Sequence, residues 1–282
     1  MANTVDLHIH TTASDGSDSP NVLLENLRKC GITTFSVTDH DTIEGCLETE
    51  KLVTPEFRFI RGIEFSCESP AGKCHILGYG FDPTHPAFQA ALEEGRKLRQ
   101  EKLETRLQYL RKELQVAVTE EEEAWLRSLE SPGKPHFGRI VMAHGLADTI
   151  DAAIQKYISP CKIRRDRIEA ELAVEAILAA GGIPVWAHPL GGEGEKPVTM
   201  EQFRQQLNQL MAYGIRGMEC HYSRYDQEYS DFLCCHARIH GLLISGGSDY
   251  HGTNKRDLPL GRLRNDASEI SPAQLTVLRE LG

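Results

Sequence analysis

Histidines and carboxylates in this chain stand at the ends of short apolar runs, and several are spaced to act in pairs. His8 and His10 flank Ile9. Residues i and i+2 of a strand share a face, so the two imidazoles project side by side, as two ligands of one ion. Asp249 and His251 repeat that spacing near the other end of the chain. Between them come Asp15 in a turn, Asp39-His40-Asp41, Glu64, His75, His188 after Val185-Trp186-Ala187, and His221 after Met218-Glu219-Cys220. Imidazole nitrogens with carboxylate oxygens suit zinc, manganese or iron. His8, His10, Asp15, His40, Glu64, His75, His188, Asp249 and His251 exceed what one tetrahedral site can use. Two or three neighbouring divalent ions are therefore expected, with a carboxylate bridging them. A lone histidine after a strand is more often a core or turn residue, and His85, His144, His236 and His240 are read that way. Recurrence at one strand end after another is what points to a metal centre.

The elements that must carry these residues follow from the apolar runs. Strands are predicted at Val5–Ile9, Thr33–Thr38, Phe57–Phe65, Cys74–Tyr79, Ile183–Ala187, Ile215–Cys220 and Leu242–Ser245. Helices are predicted at Pro20–Cys30, Glu169–Ala180, Met200–Tyr213 and Gln227–His240. Such alternation argues for parallel strands joined by crossover helices, whose C-terminal ends converge on one rim. From about Pro83 to Arg165 no strand is expected. Leu92, Leu103, Leu107, Leu110 and Leu114 recur mostly at helical spacing, and Glu120–Glu123 reads as a solvated first turn capped by Thr119. Pro132-Gly133-Lys134-Pro135 then precedes a second helical stretch, from His136 to about Tyr157. The expected organisation is an α/β barrel in two parts, 1–82 and 166–282, interrupted by a helical insertion at 83–165.

Bulk properties limit the function classes. A length of 282 residues suits one large domain with an insertion, and the net charge of −10 argues against a duplex nucleic-acid surface. A small anion held by bound cations stays compatible. No apolar run is long enough to span a membrane, and Met1–Asp6 shows no basic start before an apolar stretch. The eight cysteines contain no C-x-x-C pair and read as reduced, mostly buried thiols, which makes a cytoplasmic protein the expectation. A ligand role for Cys74, beside His75, is the lesser reading. Asp39 could orient a ligand, and Asp41 could cap the turn that follows it.

The motifs Asp6-Leu7-His8-Ile9-His10-Thr11, Thr38-Asp39-His40-Asp41, Gly62-Ile63-Glu64, Cys74-His75-Ile76-Leu77-Gly78-Tyr79, Ala187-His188-Pro189 and Gly247-Ser248-Asp249-Tyr250-His251-Gly252 resemble, in order and over nearly the whole chain, those of the polymerase-and-histidinol-phosphatase (PHP) phosphoesterases. The resemblance implies a distorted (β/α)7 barrel with metals at its C-terminal rim. It implies a first metal held by His8, His10, Glu64 and Asp249, a second by Asp15, His40 and His251, and a third by Glu64, His75 and His188. Asp15 stands where several family members have histidine. The insertion resembles the branch of nucleoside 3′,5′-bisphosphate phosphatases and 5′-to-3′ exoribonucleases acting on short RNA. Gly133-Lys134-Pro135-His136-Phe137-Gly138-Arg139 resembles that branch's Arg-Pro-His segment near a nucleotide phosphate, with Lys134 in place of the arginine. His136 and Arg139 lie three apart, on one face of a helix start that favours anions, although a solvated helix start would look the same. Lys162, Arg164 and Arg165, and the segment Tyr222-Ser223-Arg224, are further candidates for a phosphate.

The implied chemistry is hydrolysis of a phosphomonoester by a hydroxide bridging two metals, in line with the leaving ribose oxygen. His40, Asp15 and His221 are the catalytic candidates, with His221 or a metal-bound water as the acid. His136, Arg139, Lys134, His188, Ser223 and Arg224 are the substrate candidates. A nucleotide such as a nucleoside 3′,5′-bisphosphate, or a short oligoribonucleotide, is the expected partner. Competing readings are an exoribonuclease, a histidinol-phosphatase-like enzyme, an amidohydrolase, and an inactive metal- and nucleotide-binding module.

Overall fold

The computed structural model describes residues 4–129, 131–192 and 198–281. Met1–Asn3, where the absence of a leader was read, lie outside these. Among the described residues there are eight strands: β1 Val5–Ile9, β2 Thr34–Val37, β3 Arg58–Ser69, β4 Gly72–Tyr79, β5 Ile168–Glu169, β6 Ile183–Ala187, β7 Gly217–Tyr222 and β8 Leu243–Gly247. They pair in the order β1-β2-β3-β4-β6-β7-β8, with the two-residue β5 beside β3. The last strand returns to the first. Asp249 N–H donates to His8 O (2.9 Å) and His10 N–H to Tyr250 O (2.9 Å), so the sheet curls into a nearly closed barrel. Closure needs a bare backbone at Gly247, where a Cβ would lie 2.3 Å from His8 Cβ.

The expectation of parallel strands fails at one place. β4 runs antiparallel to both β3 and β6. Only Pro70 and Ala71 separate β3 from β4, and a connection that short can only make a hairpin. Cys67 and Cys74 consequently face each other across this ladder.

Helices α1 Pro20–Cys30, α2 Glu44–Leu52, α3 Pro86–Lys112, α4 Glu120–Ser128, α5 Lys134–Ala143, α6 Ile150–Ala153, α7 Ala170–Ala179, α8 Met200–Tyr213, α9 Gln227–Ile239 and α10 Val277–Glu280 complete the fold. The first starts on Pro20 and stops at Gly31, whose φ of 73° ends the helix in the left-handed region. Thr119 forms the capping box with Glu122 that opens α4. The stretch read as one helix from His136 breaks after Ala143 at Gly145 (φ 71°) and resumes as α6 and a π-helical turn, Ile154–Ile158.

Apolar burial is split in two. The barrel core takes in Phe88, Leu92 and Leu98 of α3, whereas Leu103, Leu107 and Leu110 of the same helix join Leu126, Phe137, Ile140 and Ile158 in a second cluster. Helix α3 thus packs into both clusters. Among the described residues no helix is long and apolar enough to cross a membrane.

Candidate metal centre

Strand alternation places His8 and His10 on the inner face of β1, both fully buried. Glu64, from the middle of β3, meets them from across the barrel. Its Oε2 lies 3.3 Å from His8 Nε2, 3.3 Å from His10 Nε2 and 3.0 Å from His40 Nδ1. Its Oε1 lies 2.8 Å from His75 Nδ1 and 3.2 Å from His188 Nε2. One carboxylate therefore faces five imidazoles, three through one oxygen and two through the other. Asp249 Oδ1 lies 3.5 Å from His8 Nε2 and 3.2 Å from His10 Nε2, and Asp15 Oδ1 lies 3.2 Å from His251 Nε2. Three sets have their ligand atoms within 4.8 Å of one another: His8, His10, Glu64 and Asp249; His10, Asp15, His40 and His251; and His40, Glu64 and His75. His188 falls outside the third set, although its Nε2 reaches both Glu64 and His75 Nδ1 (3.2 Å). The turns that aim these groups are unusual. Asp41 (φ 54°), His188 (φ 29°) and Asp249 (φ 58°) all hold positive φ, a conformation such residues rarely keep without a surrounding structure that imposes it.

The donor atoms test whether metals fit. His8 Nε2, His10 Nε2, Asp15 Oδ1, His40 Nδ1, Glu64 Oε2 and His251 Nε2 are buried and have no hydrogen-bond partner. Native interiors leave few polar atoms unsatisfied. Six in one place, lone pairs facing each other at ion-pair distance, match the nitrogen and oxygen donors of divalent ions. Other atoms of the same side chains are engaged. His8 Nδ1–H donates to Glu219 Oε1 (2.9 Å) and His251 Nδ1–H to Asp249 O (2.7 Å), which leaves each Nε2 as a lone pair directed inward. Asp249 Oδ2 accepts from Tyr222 Oη (3.1 Å) and Lys255 Nζ (3.2 Å).

The charges agree with this arrangement. Burial opposes ionisation of Glu64, but the rings of His40, His75 and His8 hold its carboxyl well below the usual range. Burial likewise opposes Asp15 and Asp249, and His251 with His40, and Lys255 with His251, keep them low. Burial would lower His10, yet Asp249 and Glu64 lift it to about 9, and Glu219 with Glu64 lifts His8 well above its ordinary value. Burial pushes His40 down to about 4. Three ionised carboxylates thus gather positive charge, from protons on His8 and His10 when no metal competes.

No family model matches the chain. A 5′-3′ exoribonuclease of Haemophilus influenzae is 30% identical over 258 residues, 89% of this chain and 91% of the relative. The chain is a PHP-family metal-dependent phosphoesterase. A 3′,5′-nucleoside bisphosphate phosphatase of Chromobacterium violaceum is 27% identical over 285 residues, 100% of this chain and 97% of the relative. A solved structure from Bifidobacterium adolescentis, assigned as a metal-dependent phosphoesterase, superposes with a TM-score of 0.79 at 25% identity, covering 95% of this chain and 94% of that one. An amidohydrolase from C. violaceum, with bound sulfate and no metal, superposes at 0.82 and 25% identity, covering 99% and 95%. This PHP phosphoesterase is thus an enzyme that hydrolyses phosphate esters with divalent metals, on a distorted barrel.

Of the residues expected to meet substrate, the start of α5 comes to the rim of the PHP barrel. A Cβ on Gly133 would lie 3.5 Å from Asp15 Oδ2, and His136 Nδ1 accepts from Gly133 N–H (2.9 Å). Arg139 Nη2 donates to Asn254 Oδ1 (2.7 Å), and Asn254 Nδ2 donates to Asp15 O (2.8 Å). Lys134 Nζ lies 3.4 Å from Ser159 Oγ. Ser223 is buried with its hydroxyl unpartnered, and Arg224 pairs with Asp257 (2.7 Å). Lys162, Arg164 and Arg165 are exposed, with Arg165 on Glu94 (2.8 Å). His221 does not join the cluster. The ladder between β7 and β8 slips between Glu219 and His221, and His221 Nε2 ends 3.7 Å from Cys234 Sγ on α9. Asp41 is not a cap; it accepts from Ser66 N–H (2.7 Å) and pairs with Arg99 (2.5 Å). Asp39 binds Thr11 and Ser14 in the turn before Asp15, and Ser14 Oγ lies 3.5 Å from His10 Nδ1, so Asp39 reaches that ring through Ser14.

Glu219 was not foreseen. It is fully buried, holds His8 by one oxygen and accepts from His188 N–H with the other (2.8 Å). A carboxylate inside an apolar strand, as in Gly217-Met218-Glu219-Cys220, is the signal that marks it.

Proposed function

We propose that the cluster holds two or three ions, of manganese, iron or zinc, and hydrolyses the phosphomonoester of a nucleotide that carries a further phosphate. The observation that carries this reading is the group of six unpartnered buried donor atoms, with Glu64 shared between two sets. In this reading His8, His10, Glu64 and Asp249 hold one ion, Asp15, His40 and His251 a second, and Glu64, His75 and His188 contribute to a third. When bound, such ions supply Lewis acidity toward a phosphoryl oxygen and make water a nucleophile near neutral pH. The chain's own groups position the reactants. Glu219 fixes the ring of His8, Tyr222 and Lys255 steady Asp249, and α5 brings Arg139 to Asp15 through Asn254. A cleft of about 170 Å³ lined by Lys73, His75, Trp186, His188 and Gln206 opens beside the third set, room for part of a small substrate. The bisphosphate phosphatase of C. violaceum and the exoribonuclease of H. influenzae support a nucleotide or short oligoribonucleotide as that substrate. No disulfide joins the eight cysteines, which supports a reducing compartment such as the cytoplasm.

The test is phosphate release by the manganese-loaded protein from adenosine 3′,5′-bisphosphate, AMP, histidinol phosphate and a 5′-phosphorylated oligoribonucleotide, with His40→Ala as control. Release from the bisphosphate in preference to AMP, lost in the control, is the expected result. Mononucleotides released stepwise from the oligomer would move the assignment to the exoribonuclease reading. No release by fully metal-loaded protein would sink both and leave a binding module.

A further inference from the structure

The bulge in β7 that carries His221 away from the metal centre brings it to two thiols. Glu219 pairs with Ser245 and His221 with Gly246, so Cys220 is the extra residue of the ladder. A regular strand would put His221 on the same face as Glu219; the bulge turns both Cys220 and His221 toward α9. Gly246 makes room for this turn, since a Cβ there would lie 2.8 Å from His221 Cβ. Cys234, in the middle of α9, meets both residues. Its Sγ lies 3.7 Å from His221 Nε2 and accepts the S–H of Cys220. His221 Nδ1 is buried with no partner, and the contact to Cys234 is what engages the ring.

Packing alone does not explain two thiols and an imidazole in contact. Apolar side chains would fill the space between β7 and α9 without leaving a buried nitrogen unsatisfied. The charges favour one thiolate. The hydrogen bond from Cys220 holds Cys234 well below the usual thiol range against the cost of burial, and His221 and Arg238 add to it. Burial, then Cys234, pushes Cys220 well above that range. Burial moves Cys30, Cys67 and Cys161 upward too, and Cys46 to about 12. Exposure separates the two partners, because Cys234 keeps 5% of its surface open and Cys220 none. A thiolate at the edge of the interior, with a neutral thiol behind it, suits an attacking and a resolving cysteine.

We propose that Cys234 and Cys220 form an oxidation site for peroxides, with His221 as its base, whose disulfide loosens the metal centre through Glu219. His221 Nε2 takes the Cys234 proton. The thiolate attacks one oxygen of hydrogen peroxide; the S–O bond forms, the O–O bond breaks, and the leaving hydroxide takes the proton from His221. The Cys220 sulfur then attacks the sulfenic sulfur. The S–S bond forms, the S–O bond breaks, and hydroxide leaves with the Cys220 proton as water. The two thiols lose two electrons, and one peroxide becomes two waters. Bond formation draws the Cys220 sulfur from hydrogen-bond contact to about 2.0 Å from Cys234. Glu219 precedes Cys220 in the bulge and holds His8 Nδ1 (2.9 Å) and His188 N–H (2.8 Å). The pull therefore turns the carboxylate that fixes two ligands. This consequence rests on the proposed metal centre; the thiol chemistry does not.

The experiment treats reduced, metal-free protein with equimolar hydrogen peroxide, blocks free thiols and maps the cysteines by peptide mass spectrometry. A Cys220–Cys234 disulfide that dithiothreitol reverses is expected, and Cys235→Ser should leave it unchanged. Cys220→Ala should stop at a Cys234 sulfenic acid, trapped by dimedone, and Cys234→Ser should form neither product. His221→Asn should slow the oxidation about tenfold or more, whereas a merely structural ring, once lost, would loosen α9 and speed it. Competition with a chromogenic chelator should show manganese held about tenfold or more weakly by the oxidised protein, with recovery on reduction. Peroxide-treated Cys234→Ser should show no such change. Cys234 borders the surface, so its variant carries the test if the Cys220 one does not fold. An intact dithiol after peroxide, or a disulfide between other cysteines, would overturn the site. A Cys220–Cys234 disulfide that leaves manganese affinity unchanged would overturn the link through Glu219. If the reduced protein binds no metal, the reading of the metal centre fails, and the peptide map still decides the thiol pair.

Discussion

Glu219→Gln is the substitution that most sharply tests how the metal centre is held. Glu219 is fully buried and accepts two hydrogen bonds, from His8 Nδ1–H (2.9 Å) and from His188 N–H (2.8 Å). Glutamine has the same shape but a single acceptor oxygen, with two donors on the other arm. The backbone N–H of His188 can only donate, so it claims the oxygen. The amide NH2 then faces His8 Nδ1, which must become an acceptor, and the imidazole proton moves to Nε2. That is the atom directed at Glu64 (3.3 Å) and Asp249 (3.5 Å), so a ligand lone pair becomes an N–H pointing into the cluster. Loss of such a supporting contact typically weakens metal binding about 10–100-fold, or ~1.4–2.7 kcal/mol. The assay is competition of metal-free protein against a chromogenic chelator for manganese or zinc, with nitrogen-15 spectra of the His8 ring to read the tautomer. The melting temperature of the metal-free variant checks that the barrel is intact. Affinity equal to the parent's, with the proton on Nε2, would refute the idea that Glu219 acts through His8.

Further outcomes are expected from the same geometry. Glu64→Gln should abolish hydrolysis and displace more than one ion, measured as metal content per chain, because both oxygens of Glu64 are shared among five histidines. Gly247→Ala puts a Cβ 2.3 Å from His8 Cβ and 2.5 Å from His8 N, so β1 and β8 must separate; a melting-curve loss corresponding to about 1–3 kcal/mol and reduced metal content are expected. Lys102 is held down to about 6 by burial, then by Arg99 and Arg106. Because the folded value lies below the unfolded one, the unfolded chain holds more protons between roughly pH 6 and 10.5 and stability rises with pH across that window. Lys102→Met should flatten that rise and raise the melting temperature at neutral pH.

The barrel strands were readable because their apolar runs are short and bounded, and β1 and β6 have the limits that their runs suggest. Helix ends marked by Pro20 and Thr119 were readable for the same reason, a single residue with a single mechanism. Direction was not. Nothing in Gly72–Tyr79 says that it runs antiparallel; the two-residue spacing after Ser69 does. His8, His10, Glu64 and Asp249 came together as residue types and strand ends implied, whereas His221 did not, because a slip in the β7 ladder turns it toward α9. Strand alternation assumes a regular pleat and is blind to such a slip. Arg99, Lys102 and Arg106 were passed over because charged residues between leucines normally mark a solvated helix face. Only the position of α3 between barrel and insertion reveals that this face is covered.

The seam between β1 and β8 also fixes when the enzyme can acquire its ions. Asp6 accepts from Ser248 N–H (2.9 Å), a residue 242 positions later, and it is at this seam that His8 and His10 meet Asp249. A chain emerging N-terminus first from the ribosome carries His8 and His10 long before their aspartate, Asp249, has been made. His40, Glu64 and His75, by contrast, are all made well before Asp249. A growing chain is therefore limited to a weak, partial hold on metal, and full loading marks the end of folding. Refolding started with and without metal should form the barrel at similar rates and differ in how slowly the finished barrel opens again.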